Sequence, residues 1–185
     1  MLPRYPYSSG QARPATAAPP GACDCHIHAY DARYPAVPGA TLSPPDASMA
    51  QYRNIQARLG MQRAVLVTPS TYGADNRAML DGLALLGEQA RGVAVIDGSE
   101  SDAQLQALHE AGVRGIRLNL SLGVTSRADQ ILPLAARVAP LGWHVQLLMA
   151  PDRLAALAPL LSALPAPIVF DHMARIGPQQ AGAHP

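Results

Sequence analysis

Cys23-Asp24-Cys25-His26-Ile27-His28 is the stretch on which the reading of this chain turns. In a strand, successive side chains point to opposite faces, which predicts Asp24, His26 and His28 on one face and Cys23, Cys25 and Ile27 on the other. One face is then polar and the other core-forming. Two imidazoles at i and i+2 near a strand's end can ligate one metal ion, or polarise one carbonyl while a carboxylate fixes their tautomer. The alternative is an ordinary strand with satisfied histidines. Placement where the first strand should end favours chemistry.

Outward from this stretch, helix and strand alternate. A loop from Asp31 to Pro45, with prolines at 35, 38, 44 and 45, cannot hold regular structure. A helix is predicted from Asp46 to Leu59, capped by Asp46 or Ser48 and stopped by Gly60. Arg63 to Thr68 reads as a buried strand leaving through the hydroxyl-rich turn Pro69 to Gly73, before a helix from Asp75 to Leu86. Gly92 to Ile96 is the third strand, ending at Asp97, and Asp102 to Ala111 a helix capped near Ser101 and closed by Gly112. In the fourth strand, Val113 to Leu120, Arg117 and Asn119 lie opposite an apolar face. A helix from Asp129 to Val138 must hold Pro133 in its first turn or kink there. Trp143 to Met149, a helix from Asp152 to Leu164, and Pro167 to His172 complete the pattern.

Such alternation predicts a parallel α/β fold built from right-handed βαβ units. A doubly wound sheet would carry a glycine-rich phosphate turn after the first strand, and here that position holds His-Ile-His. A barrel instead gathers polar residues at the C-terminal ends of many strands. This chain does so with His26 and His28, Ser70 and Thr71, Asp97, Arg117 and Asn119, Gln146, then Asp171 and His172.

The 185 residues suffice for one domain, and 49% are hydrophobic with a net charge of +1. That balance argues against a nucleic-acid groove, an anionic membrane or an acidic partner. Both cysteines lie at 23 and 25, with no wider disulfide framework, which fits a reducing, cytoplasmic compartment. Residues 1–20, rich in Pro, Ala, Ser and Gly, lack a secretory apolar core and read as a flexible arm ahead of a domain over 21–185. No stretch has the apolar length of a membrane span, so a soluble protein is expected.

With Asp24-Cys25-His26-Ile27-His28 and Asp171-His172 placed, the sequence resembles the amidohydrolase superfamily, in the amidohydrolase-related branch that contains 2-pyrone-4,6-dicarboxylate lactonases. The resemblance extends through Pro44-Pro45-Asp46, Thr71 to Arg77, Ala111 to Asn119 and Gly142 to Leu147. It implies a (β/α)8 TIM-type barrel that hydrolyses carboxylated lactones, with relatives that isomerise sugar lactones. By position, His26 and His28 would be the first-strand pair that binds metal in some relatives and polarises the scissile carbonyl in others, and His172 would close on the same point. Arg117, with Ser70, Thr71 and Gln146, would hold the substrate, a planar fork of donors suiting a carboxylate. The competing readings are a structural ion pair for Arg117 and turn-capping hydroxyls for Ser70 and Thr71.

Two departures shape the expectation. Leu148 stands where related sequences place His or Tyr, and the fourth strand lacks a metal-bridging Lys or Glu, so one divalent ion, zinc or manganese, or none is expected. The chain also stops soon after its sixth strand, whereas the resemblance implies eight, the last with a water-activating Asp. Asp24 and Asp97 are the available substitutes, Asp24 sitting where it would orient the histidines. The expectation is therefore an incomplete barrel of about six units that associates through its open edges and does not turn over lactones alone. A non-catalytic remnant is the alternative.

Overall fold

The computed structural model describes residues 12–121, 126–180 and 182–183. Of the expected arm, 1–11 lie outside the described residues, and 12–20 run without helix or strand. The regular elements are β1 (Cys23–Ile27), α1 (Met49–Leu59), β2 (Arg63–Val67), α2 (Arg77–Leu86), β3 (Ala90–Ala94), α3 (Asp102–Glu110), β4 (Val113–Asn119), α4 (Ile131–Val138), β5 (His144–Leu148), α5 (Pro151–Ser162) and β6 (Ile168–Phe170).

Every neighbouring pair of strands is parallel, and their order in the sheet is their order in sequence. A doubly wound sheet reverses its order at a switch point, so this order decides for the barrel type. Curling is visible in one contact: His26 Nδ1 of β1 lies 3.3 Å from Asp171 Oδ1 at the end of β6. Side chains from the two outermost strands meet only if the sheet rolls toward closure. The six strands form a curled part of a TIM-type barrel.

The outer face carries the core. Leu66, Ile116, Leu118, Val145 and Leu147 are buried against the helices, each contributing about 1.5–3 kcal/mol. α2 sits directly on β3: a Cβ added to Gly92 would fall 2.7 Å from Met79 Sδ and 2.8 Å from Leu83 Cδ1.

The helix ends follow local hydrogen bonding. Ser48 caps α1 in a reciprocal capping box with Gln51, and Gly60 ends it at φ 75°. Asp46 lies outside the helix, its carboxylate accepting the Ala32 N–H at 2.9 Å. Asp75 likewise accepts the Arg77 N–H at 3.1 Å, so α2 begins later than predicted. Ser101 caps α3 with Gln104. Pro133 occupies the third position of α4, within the first turn as expected.

One expectation fails in β1. Asp24 pairs with Ala64 but Ile27 with Leu66, so β1 uses one more residue than β2 over the same span. A bulge of this kind breaks the alternation of faces. Asp24 turns toward α1, where the Tyr52 hydroxyl donates to it at 3.2 Å. It does not orient the histidines. Among the described residues, no helix is long and apolar enough to cross a membrane.

Candidate active site

β1 and the turn after β6 bring three imidazoles together. The His26 ring centroid lies 4.9 Å from that of His28 and 5.3 Å from that of His172. His28 is fixed by its Nδ1, which donates to the Val67 carbonyl at the end of β2 at 2.7 Å. That bond leaves a lone pair on Nε2. Burial lowers its pKa to about 4, with the charges of Arg117 and His26 acting in the same direction against the Val67 bond and Asp171. His28 is neutral near pH 7 and accepts rather than donates through Nε2.

Asp171 organises the rest. It is 3% exposed, its Oδ1 faces His26 Nδ1 at 3.3 Å, and its Oδ2 accepts from Arg117 Nε at 2.9 Å. Burial works to raise this carboxyl, but the His26 bond, the Arg117 charge and a Gln146 bond outweigh it and bring the pKa to about 2. With Nδ1 donating to a carboxylate, His26 presents an unprotonated Nε2. That atom is buried and has no hydrogen-bond partner among the described residues.

His172 reaches the cluster through an unusual backbone. His172, Met173, Ala174 and Arg175 hold φ values of 48°, 52°, 55° and 59°, a left-handed turn without glycine. Such backbone costs about 1–2 kcal/mol per residue, and it persists here beside the cluster, where strain is often stored.

The other predicted residues are placed as follows. Arg117 is 4% exposed and ion-paired with Asp171. Ser70 Oγ accepts from Asn119 Nδ2 at 3.2 Å, and the Thr71 hydroxyl donates to the Leu42 carbonyl at 3.4 Å. Gln146 is buried, with Nε2 3.4 Å from His26 Nδ1. Asp97 stands apart in an exposed turn, accepting the Ser99 N–H at 2.8 Å. Asp171 is the residue to which sequence reasoning gave no role, although its place just before His172 at a strand end was the available signal.

Ligand atoms of His26, Asp171 and His172 all lie within 4.8 Å of one another. Together with the unpartnered Nε2, this donor set fits one divalent ion. The cluster can thus hold a cation or move a proton between water and Nε2, with Asp171 stabilising the imidazolium.

The model of the amidohydrolase family matches residues 23–185. Among curated proteins, the chain is similar to 2-pyrone-4,6-dicarboxylate hydrolase of Comamonas testosteroni, 41% identical over 167 residues, which cover 88% of this chain and 55% of that protein. It is also similar to D-galactarolactone isomerase of Agrobacterium fabrum, 29% identical over 161 residues, 86% of this chain and 55% of the relative. Among solved structures, a probable 2-pyrone-4,6-dicarboxylic acid hydrolase of Acinetobacter baumannii with citric acid bound superposes with a TM-score of 0.78 at 27% identity, covering 86% of this chain and 61% of that one. The chain spans about half the length of the curated relatives it matches. A match that runs from the first residue of β1 through the turn carrying His172, on strands in the order found here, makes this chain a member of the amidohydrolase family.

Proposed function

We propose that the site opens a carboxylated lactone by hydrolysis, with His26 and Asp171 as the base. The observation that carries the reading is the unpartnered Nε2 of His26, backed through Nδ1 by a carboxylate that Arg117 keeps ionised. His26 Nε2 takes a proton from water as its oxygen bonds to the lactone carbonyl carbon. The imidazolium is stabilised by Asp171. As the ring C–O bond breaks, the same proton passes to the departing ring oxygen. His28, neutral and with its lone pair on Nε2, accepts a hydrogen bond from the water or a ligand; it does not donate to the carbonyl oxygen. His172 faces that oxygen from the other side.

The alternative use of these groups is to hold zinc or manganese through His26, Asp171 and His172; such an ion would supply Lewis-acid polarisation of the carbonyl, and with Nε2 bound to it His26 would no longer serve as the base. Arg117 balances Asp171 and, with Ser70 and Thr71, provides the polar wall for a substrate carboxylate. Gln146 lies beside the base, its Nε2 3.4 Å from His26 Nδ1. The likeness to a pyrone dicarboxylate hydrolase at 41% identity, against 29% for the lactone isomerase, favours ring opening over isomerisation.

The test is hydrolysis of 2-pyrone-4,6-dicarboxylate, followed by NMR of the ring-opened acid, with lactone binding measured separately by calorimetry. His26→Gln is expected to slow turnover by about 10²–10⁴-fold with binding retained. Binding without turnover in the unsubstituted chain would count against the His26–Asp171 base and favour an aspartate on a further strand.

A further inference from the structure

β2 ends at Val67, whose carbonyl fixes His28, and is followed by Thr68, which is 1% exposed. The Thr68 N–H still reaches β3, donating to the Val93 carbonyl at 3.0 Å. That N–H and the Val67 carbonyl belong to one peptide group, so a tilt at Thr68 moves the acceptor of His28. In a regular parallel ladder the next two bonds would join the Val95 N–H to the Thr68 carbonyl and the Ser70 N–H to the Val95 carbonyl. A side chain takes both places on Val95 instead. Asn76 Oδ1 accepts the Val95 N–H at 2.9 Å, and Asn76 Nδ2 donates to the Val95 carbonyl at 2.8 Å. The Asn76 amide thus stands in for a peptide group of β2.

The same amide is tied to the strand it extends. The Thr68 hydroxyl donates to Oδ1 at 2.7 Å, and Nδ2 also donates to the Ala74 carbonyl at 3.2 Å. Two bonds to the oxygen and two from the nitrogen leave one orientation: reversed, the amide would set N–H against N–H and oxygen against oxygen at Val95. Asn76 occupies the cap position of α2, where asparagine ordinarily holds a helix N–H, yet its side chain makes no such bond. It serves the sheet. With Val95 satisfied by a side chain, the backbone after Thr68 can turn out of the sheet, and Ser70 Oγ meets Asn119 Nδ2 at 3.2 Å.

We propose that Asn76 is a positioning residue: by clamping Thr68 and Val95 where the ladder between β2 and β3 stops, it holds the Val67 carbonyl against His28 Nδ1 and keeps the His28 lone pair on Nε2. Its effect on turnover rests on the lactone reading above, in which that lone pair accepts from water. The placement of His28 does not.

The experiment is 15N NMR of histidine-labelled protein at pH 8.5 without substrate, reading the ratio of Nδ1–H to Nε2–H at His28. Asn76→Ala removes all four bonds, and the ratio is expected to fall about fivefold, the weight of one neutral hydrogen bond. Asn76→Asp keeps an acceptor for Thr68 and the Val95 N–H but sets an oxygen against the Val95 carbonyl, and a fall of at least about twofold is expected. Asp75→Ala removes the acceptor of the Arg77 N–H at the start of α2 without touching the sheet, and should leave the ratio unchanged. An unchanged ratio in a folded Asn76→Ala, or an equal fall in Asp75→Ala, overturns the proposal and leaves Asn76 as a fastening of α2 to the sheet. Should neither Asn76 variant fold, the unsubstituted protein decides: a through-hydrogen-bond coupling between the Val95 amide nitrogen and Asn76 Cγ is expected, and its absence overturns the proposal. Because these readouts involve no lactone, a failed hydrolysis assay would sink the functional reading without touching this one.

Discussion

Replacing Asp171 with Asn keeps the side chain's shape and removes its charge from between Arg117, 2.9 Å away, and His26, 3.3 Å away. Arg117 is 4% exposed, so its guanidinium is left buried without a counter-ion, a loss of about 3–5 kcal/mol. A second route gives a similar size. The carboxyl titrates at about 2 against an ordinary 3.8, a difference worth roughly 2 kcal/mol. Because the folded-state pKa is lowered, this stability is complete above about pH 4 and is lost as the pH falls toward 2. The first figure exceeds the second because it includes the stranded arginine. Urea denaturation at a series of pH values measures both. The Asn variant is expected to lose about 2–5 kcal/mol at pH 7, and its stability should vary less with pH between 4 and 2 than that of the parent. A loss below about 0.5 kcal/mol, with the acid limb unchanged, would refute the reasoning that Asp171 is the buried counter-ion of the site.

His28 makes a parallel contribution: titrating at about 4 rather than 6.5, it favours the fold by about 3 kcal/mol above pH 6.5, and this is lost as the pH falls from 6.5 through 4. His28→Gln should flatten the denaturation free energy across that window. Met173, 85% exposed at φ 52°, gains nothing visible from its side chain, so Met173→Gly should raise stability by about 0.5–1 kcal/mol, read as a higher melting temperature. β6 pairs only with β5 among the described strands, and Val169 and Phe170 are 43% and 42% exposed. Concentration-dependent association by light scattering is expected, and Val169→Lys should weaken it, since charge on an edge strand opposes pairing.

The alternation of elements was legible because its signals are local: apolar runs, capping serines at 48 and 101, and glycines at 60 and 112. The inward placement of His26 and His28 was legible for the same reason. The outward turn of Asp24 was not, since it depends on the register of β1 against β2, and a bulge leaves no mark in the residues that form it. Asp171 escaped because its role depends on His26 and Arg117, groups joined only when the sheet curls. Gln146 was read as a substrate contact from its position in the resemblance, and its nearness to His26 is likewise a product of curvature. The left-handed turn at His172 carries no glycine, so no local residue announced it.

The proposed lactone hydrolysis depends above all on His26, backed by Asp171, as the base. The most direct measurement is the rate of 2-pyrone-4,6-dicarboxylate hydrolysis by the purified chain and by its His26→Gln variant, at equal protein and with lactone binding shown for both. Turnover by the parent and a fall of at least about 10²-fold in the variant are expected. Equal rates in the two proteins, or lactone bound by the parent and never opened, would contradict it.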